Sequence, residues 1–161
     1  MAKHILNSAG DELDFFLVGI VCPEDQYRMI SLINDALGTD LLLTTFIPFD
    51  VKMGQAFTFS LFSYTDEELG IHYDVVPNNS NFEEPNINQG SAPNLFSDVG
   101  VDESVKLIKE LPKTDYFLIL KGEDLHMHQF RILDRLKTIG AIVQLQPIQA
   151  ADLPSRRNLI F

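Results

Sequence analysis

Phe15-Phe16-Leu17-Val18-Gly19-Ile20-Val21, followed at once by Cys22-Pro23-Glu24-Asp25, is the stretch on which the fold turns. Its first seven residues are apolar without alternation, rich in aromatic and β-branched types and bounded by Asp14 and Pro23, the pattern of a strand covered on both faces. A helix is expected directly after it. Pro23 suits a first helical position, Glu24 and Asp25 suit the positive end of the helix dipole, and Gly38 supplies the stop. Tyr27, Ile30, Ile33 and Leu37 recur at helical spacing and form its expected core face.

The same grammar returns near the other end of the chain. Tyr116 to Leu120 is uniformly apolar and reads as a second central strand. Glu123 and Asp124 then open a helix in which Leu125, Ile132, Leu133 and Leu136 share a face, with Gly140 as its stop and Ala141 to Ile148 as a last strand. Between the two units, Leu41 to Ile47 reads as a strand. Phe57 to Tyr64 and Ile71 to Val76, joined by the turn-like Thr65 to Gly70, read as an antiparallel hairpin. Asp102 to Leu111 is expected as a short helix with Val105, Ile108 and Leu111 inward, and residues 152–161 as a tail.

These elements imply an α+β (α/β-like) two-layer sandwich. Its mixed sheet has about six strands, and two β-α-β units, their strands parallel through right-handed crossovers, flank the hairpin. A ferredoxin-like β-α-β-β-α-β core with extensions is the alternative. One domain over residues 1–161 is the expectation, interrupted by a polar loop at 77–100 whose length exceeds the roughly 12 to 15 residues usual in compact domains. Two helices cannot cover both faces of such a sheet. The second face must be covered by the loop, the tail or a second copy of the chain, and a homodimer is the expected answer.

Composition narrows the setting. Of 161 residues 45% are hydrophobic and 22% charged, which suits a globular chain rather than a disordered one. The longest apolar run, Phe15 to Cys22, falls far short of the roughly 18 residues a membrane-spanning helix needs, and residues 1–7 lack a signal-peptide pattern. A cytoplasmic location is expected, and a single cysteine fits a reducing compartment. With 23 acidic against 12 basic residues the net charge is −11, so neither nucleic acid nor an anionic membrane is an expected partner.

Familiar catalytic signatures are missing: there is no G-x-x-x-x-G-K-[ST], G-x-G-x-x-G, G-x-S-x-G, H-E-x-x-H or C-x-x-C. No cofactor, metal or catalytic residue is expected. Cys22, where a strand passes into a helix, could be an activated thiol but reads better as a small core residue. His126 and His128, two apart on a helix, point to opposite sides and read as surface histidines. His72 and Asp74 share a strand face and could form a base pair of the orienting kind, yet read first as a surface or cross-strand pair. Glu24, Asp25, Glu123 and Asp124 occupy the helix entrances and disfavour an anionic ligand there. Asp66-Glu67-Glu68 reads as a solvated turn, and the apolar end after Arg156-Arg157 reads as a seal on the chain's own core more than as a docking peptide.

Several stretches together resemble a bacterial family of uncharacterised proteins named for the pattern I-P-E-x-x-x-V-D-Y. Ile108-Lys109-Glu110 and, three residues on, Thr114-Asp115-Tyr116 carry the motif, with Lys109 in place of its proline and Thr114 in place of its valine. Phe117 to Gly122, Tyr27-Arg28, Ile33-Asn34, Phe59 to Tyr64 and Asn158 to Phe161 extend the resemblance over most of the chain outside the loop. It implies a cytosolic single domain without an established reaction, ligand or partner. Tyr27, Arg28, Asn34, Glu110, Asp115 and Tyr116 are therefore the candidate site residues. Glu110, Asp115 and Tyr116 are expected to fix the entry into a central strand, or to form a patch with Tyr27 and Arg28.

The functional expectation is a non-catalytic binding or scaffold domain acting through protein contacts as a homodimer. The alternative is a small-molecule-binding domain or enzyme with a pocket near Cys22 and Gly122, lidded by the 77–100 loop.

Overall fold

The computed structural model describes residues 14–51, 55–82 and 105–161. Two helices lie on one face of an open sheet, an α+β two-layer arrangement. The chain runs β1 (Phe16–Val21), α1 (Gln26–Leu37), β2 (Leu42–Val51), β3 (Gln55–Asp66), β4 (Ile71–Pro77), β5 (Asn81–Phe82), β6 (Tyr116–Lys121), α2 (Leu125–Leu136) and β7 (Gln144–Ile148). In space the strands stand in the order β2-β3-β4-β6-β1-β7, with the two-residue β5 beside β3.

Every neighbouring pair is antiparallel, which corrects the expected mixed sheet. β1 and β2 do point the same way, as do β6 and β7. They are not neighbours, however: β6, β4 and β3 stand between the first pair, and β1 stands between the second. Each crossover thus spans strands that fill the gap antiparallel. The β6-α2-β7 unit straddles β1 as a split β-α-β, whereas α1 leads not to the strand beside β6, as in the ferredoxin-like alternative, but to β2 at the far edge.

The uniformly apolar strands occupy the middle, as their composition demands. Val18, Ile20, Leu118 and Leu120 face the helices, where they pack with Met29, Ile30, Ile33 and Leu37 of α1 and Leu125, Ile132, Leu133 and Leu136 of α2. Leu17, Phe117 and Ile119 face the other way and are covered by Leu107 and Ile108, by Ala150, and by Leu153 and Leu159 of the tail. The chain therefore covers this part of the second face itself, and the need for a second copy there, which motivated the expected dimer, disappears. Leu159 is fully buried whereas Ile160 and Phe161 stay exposed.

Local departures have local causes. α1 starts at Gln26, three residues after Pro23, because the Asp25 carboxylate accepts from the N–H groups of Tyr27 (3.0 Å) and Arg28 (3.1 Å) and so sets the cap. Gly38, at φ 68°, closes the helix in the left-handed region that favours glycine. Tyr27 is 61% exposed and lies off the core face, where Met29 takes its place. α2 ends at Leu136, and Gly140 sits in the turn beyond it.

No helix forms within residues 105–111. Leu107 and Ile108 are both buried there on irregular backbone. The backbone is instead tied to Asn78, as described below. Residues 101–104 of the expected helix and 83–100 of the expected loop lie outside the described residues, while Asn78 to Phe82 form ordered pairings with 105–106 and β3. No helix among the described residues is long and apolar enough to cross a membrane.

Candidate functional site

Antiparallel pairing decides where chemistry can gather. Ile20 pairs with Tyr116 and Phe16 with Leu120, so the carboxyl end of β1 meets the amino end of β6. Cys22 and Gly122 consequently lie at opposite ends of the sheet, and a single pocket spanning both is ruled out. Gly122 has a different use: a Cβ there would stand 2.6 Å from the Gly70 carbonyl oxygen, so the glycine admits the β3–β4 turn against the end of β6.

At the Cys22 end, long-range hydrogen bonds hold the β1–α1 junction. The Cys22 N–H donates to an Asp115 carboxylate oxygen at 2.8 Å, the Asp115 N–H donates to the Ile20 carbonyl at 2.9 Å, and the Tyr116 hydroxyl donates to the Glu24 carbonyl. Asp115 and Tyr116 thus do fix an entry, that of α1 as well as that of β6. Burial pushes the Tyr116 hydroxyl well above the ordinary tyrosine range, helped by the negative charges of Asp115, Asp25 and Glu24. Burial also raises the Cys22 thiol, outweighing a hydrogen bond from the Glu24 backbone. At 2% exposure this cysteine is a core residue and not an activated nucleophile.

Asn78, at the end of β4, is wholly buried and organises the neighbouring segment. Its Nδ2 donates to the carbonyls of Thr114 (2.9 Å) and Leu111 (3.0 Å), and its Oδ1 accepts from the Ile108 N–H (2.8 Å). Its backbone N–H donates to the Asp115 carbonyl (2.8 Å) and its own carbonyl accepts from the Leu107 N–H (2.9 Å). One amide side chain therefore replaces the hydrogen bonds that a helix would have supplied to this segment.

The segment so held forms the wall of a groove of about 300 Å³ against β1 and β7. Gly19 and Val21 of β1, the run from Glu110 to Thr114, and Gln144 and Gln146 of β7 line it. Glycine is needed at position 19 because the Ile148 and Thr114 side chains fill the space over it, and a Cβ there would stand 2.7 Å from Ile148 Cδ1 and 3.3 Å from the Thr114 methyl. Glu110 is fixed by the tail, its Oε1 accepting from both the N–H and the hydroxyl of Ser155 at 2.8 Å. A hydrogen bond from its own backbone N–H, with those from Ser155 and the charge of Lys109, holds its carboxyl below the usual carboxylate range.

The remaining candidates separate. Tyr27 and Arg28 lie exposed on the first turn of α1, Tyr27 edge-on to Phe62 with ring centroids 5.9 Å apart, and neither lines the groove. Asn34 closes the turn into β2: its Oδ1 accepts from the Leu41 N–H (2.8 Å) and the Thr39 hydroxyl (2.9 Å), and its Nδ2 donates to the Leu41 carbonyl (3.2 Å). The six therefore do not form one patch. Asp115 and Tyr116 share the junction, Glu110 flanks it in the groove, and the other three act elsewhere.

At the opposite end of the sheet, Asp74 is 3% exposed and neutralised by its neighbours. His72 Nε2 lies 3.0 Å from its Oδ1, Lys121 Nζ lies 3.4 Å from its Oδ2, and the Ser63 hydroxyl donates to Oδ1. The Thr65 hydroxyl lies 2.7 Å from His72 Nδ1. The expected His72–Asp74 pair exists, and its surroundings make it a paired buried charge. His126 is exposed and His128 half-buried, and the described residues contain no group of three or more histidine, cysteine or acidic side chains able to hold a metal.

Sequence reasoning missed Asn78, Thr114 and the two glutamines of β7. Only Asn78 had a signal, a hydrogen-bonding side chain placed immediately after a strand without a solvated face. Comparisons with protein-family models, curated proteins and solved structures give no match for this chain.

Proposed function

We propose that the protein is a non-catalytic binding domain that acts through protein–protein contacts and self-associates by edge-to-edge pairing of β2. The supporting observation is the character of that edge. Among the described residues β2 hydrogen-bonds to β3 alone, yet Leu42, Leu43 and Phe46 are 60%, 39% and 49% exposed on it. Leu43 stands across from the buried Phe62, on whose ring the exposed Tyr27 packs from α1.

Edge strands of soluble proteins are ordinarily blunted by charge, and Leu42 to Ile47 carries none. Pro48 withholds a backbone donor and confines pairing to that preceding part. A twofold contact buries each side chain twice, at about 1.5 to 3 kcal/mol for each large apolar group fully covered. The same reading takes the chain as a cytoplasmic member of the family it resembles through Ile108, Glu110, Asp115 and Tyr116.

Light scattering on the intact chain and on a Leu43→Glu, Phe46→Glu variant tests the reading. The intact chain is expected to be dimeric at micromolar concentration, and the variant monomeric with its dissociation constant raised at least about a hundredfold. A monomeric intact chain, or a variant that dimerises equally well, would overturn it.

A further inference from the structure

We infer that Thr65 is a nucleophilic modification site that takes an acyl group from an uncharged activated ester, with His72 as its base and Asp74 as the positioning residue. The inference does not rest on self-association through β2. A single stoichiometric acylation also leaves the reading of a non-catalytic binding domain as it stands.

The order of the three side chains carries it. Thr65 and His72 are paired across β3 and β4, and the Thr65 hydroxyl lies 2.7 Å from His72 Nδ1. On the other side of the ring, His72 Nε2 lies 3.0 Å from Asp74 Oδ1. A carboxylate oxygen can only accept, so Nε2 carries the ring proton, Nδ1 keeps its lone pair, and the Thr65 hydroxyl is the donor to it. Hydroxyl, base and orienting carboxylate thus stand in the order that activates an alcohol for acyl transfer.

The relay is anchored at one end and open at the other. The Ser63 hydroxyl donates to Asp74 Oδ1 and the Lys121 ammonium, on the strand beyond, lies 3.4 Å from Oδ2, so the carboxylate is held from both sides. The Asp74 side chain is 4% exposed and that of His72 38%, while Thr65 is exposed. Pairing of β2 with β3 begins at Leu42 and Ser63, two residues short of Thr65, so no β2 residue stands opposite the hydroxyl. A reagent can therefore reach Thr65 without disturbing the buried carboxylate.

The step balances without an oxidant or reductant. Thr65 Oγ1 bonds to the acyl carbon as its proton passes to His72 Nδ1, and the Asp74 carboxylate faces the imidazolium so formed. The ester C–O bond then breaks, and the departing alkoxide leaves as an alcohol with that proton. Asp66, Glu67 and Glu68 directly follow Thr65 in the chain, and their charge disfavours an anionic donor.

The test treats the full chain with p-nitrophenyl acetate and locates the acetyl group by peptide mass spectrometry. Lability to hydroxylamine separates an ester on Thr65 from amides on lysines. Thr65 is expected to be acetylated at least about a hundredfold faster than any other hydroxyl of the chain, and His72→Gln to remove that advantage. Thr65→Ser should retain the reaction and Thr65→Val abolish it, and an exposed position on a strand tolerates both. The same ester with a carboxylate on its ring should react more slowly. Nitrogen NMR of the intact chain, which no variant perturbs, should place the His72 ring proton on Nε2, the signature of its orientation by Asp74. Acetylation of Thr65 no faster than of other hydroxyls, a rate unchanged by His72→Gln, equal reaction of the charged ester, or a ring proton on Nδ1 would overturn the proposal.

Discussion

The Asp115 carboxylate receives the Cys22 N–H at 2.8 Å across 93 residues of sequence, and this one bond ties the start of β6 to the point where β1 becomes α1. Asp115→Ala leaves that amide unpaired at a partly buried junction and is expected to lower stability by about 1 to 3 kcal/mol. Asp115→Asn keeps an accepting oxygen and should recover most of the loss. Urea denaturation of the pair distinguishes this from a general surface effect, which would leave both near the intact protein.

Asn78→Ala should be worse. It strands the Thr114 and Leu111 carbonyls and the Ile108 N–H, and three such groups in a buried place cost about 3 kcal/mol or more. Asn78→Asp should not rescue it, since a carboxylate cannot donate to two carbonyls. Hydrogen exchange in both variants should rise first over residues 107–115, where the amide side chain is the common anchor.

Alkaline pH should destabilise the fold beginning near the ordinary thiol value of 9.0. Cys22, Tyr73 and Tyr116 are acids whose folded values are raised, chiefly by burial, so above their unfolded values the folded state binds more protons than the unfolded one. Stability therefore falls as pH rises, the thiol contributing first and the phenols next. Cys22→Ala should remove the earliest part of that decline. Iodoacetamide at neutral pH should label Cys22 only after unfolding, and rapid labelling of the folded chain would contradict its assignment to the core.

Gly122→Ala is expected to destabilise by more than a solvent-exposed glycine normally would, because the added carbon meets a backbone carbonyl that cannot swing aside. Gly19→Ala meets the far end of Ile148, which can rotate, and should be the milder of the two. Thermal unfolding of both variants checks the order.

Much of the architecture was legible because it is written in short-range patterns. Phe16–Val21 and Tyr116–Lys121 have no polar face to show to water, so they had to be central, and Leu125, Ile132, Leu133 and Leu136 had to share a helix side. Strand order was not legible. Whether α1 returns its chain beside β1 or beyond three intervening strands depends on what later strands occupy the gap, and nothing local to Gln26–Leu37 records that.

The helix expected near 105–111 failed for a related reason. Val105, Ile108 and Leu111 have helical spacing, but Asn78, 30 residues before Ile108, outcompetes the helix for its backbone groups. Of the groove, Glu110 was marked by the motif, whereas Thr114, Gln144 and Gln146 gather only through β1–β7 pairing and the fold of 107–115.

Self-association through β2 is tested most directly by hydrogen exchange of the intact chain at several concentrations, read over Leu42 to Ile47. The expectation is that amides of this stretch slow as concentration rises while β7, the other edge, exchanges at a constant rate. Exchange of β2 that is independent of concentration, or concentration-dependent protection confined to any other element, would contradict it.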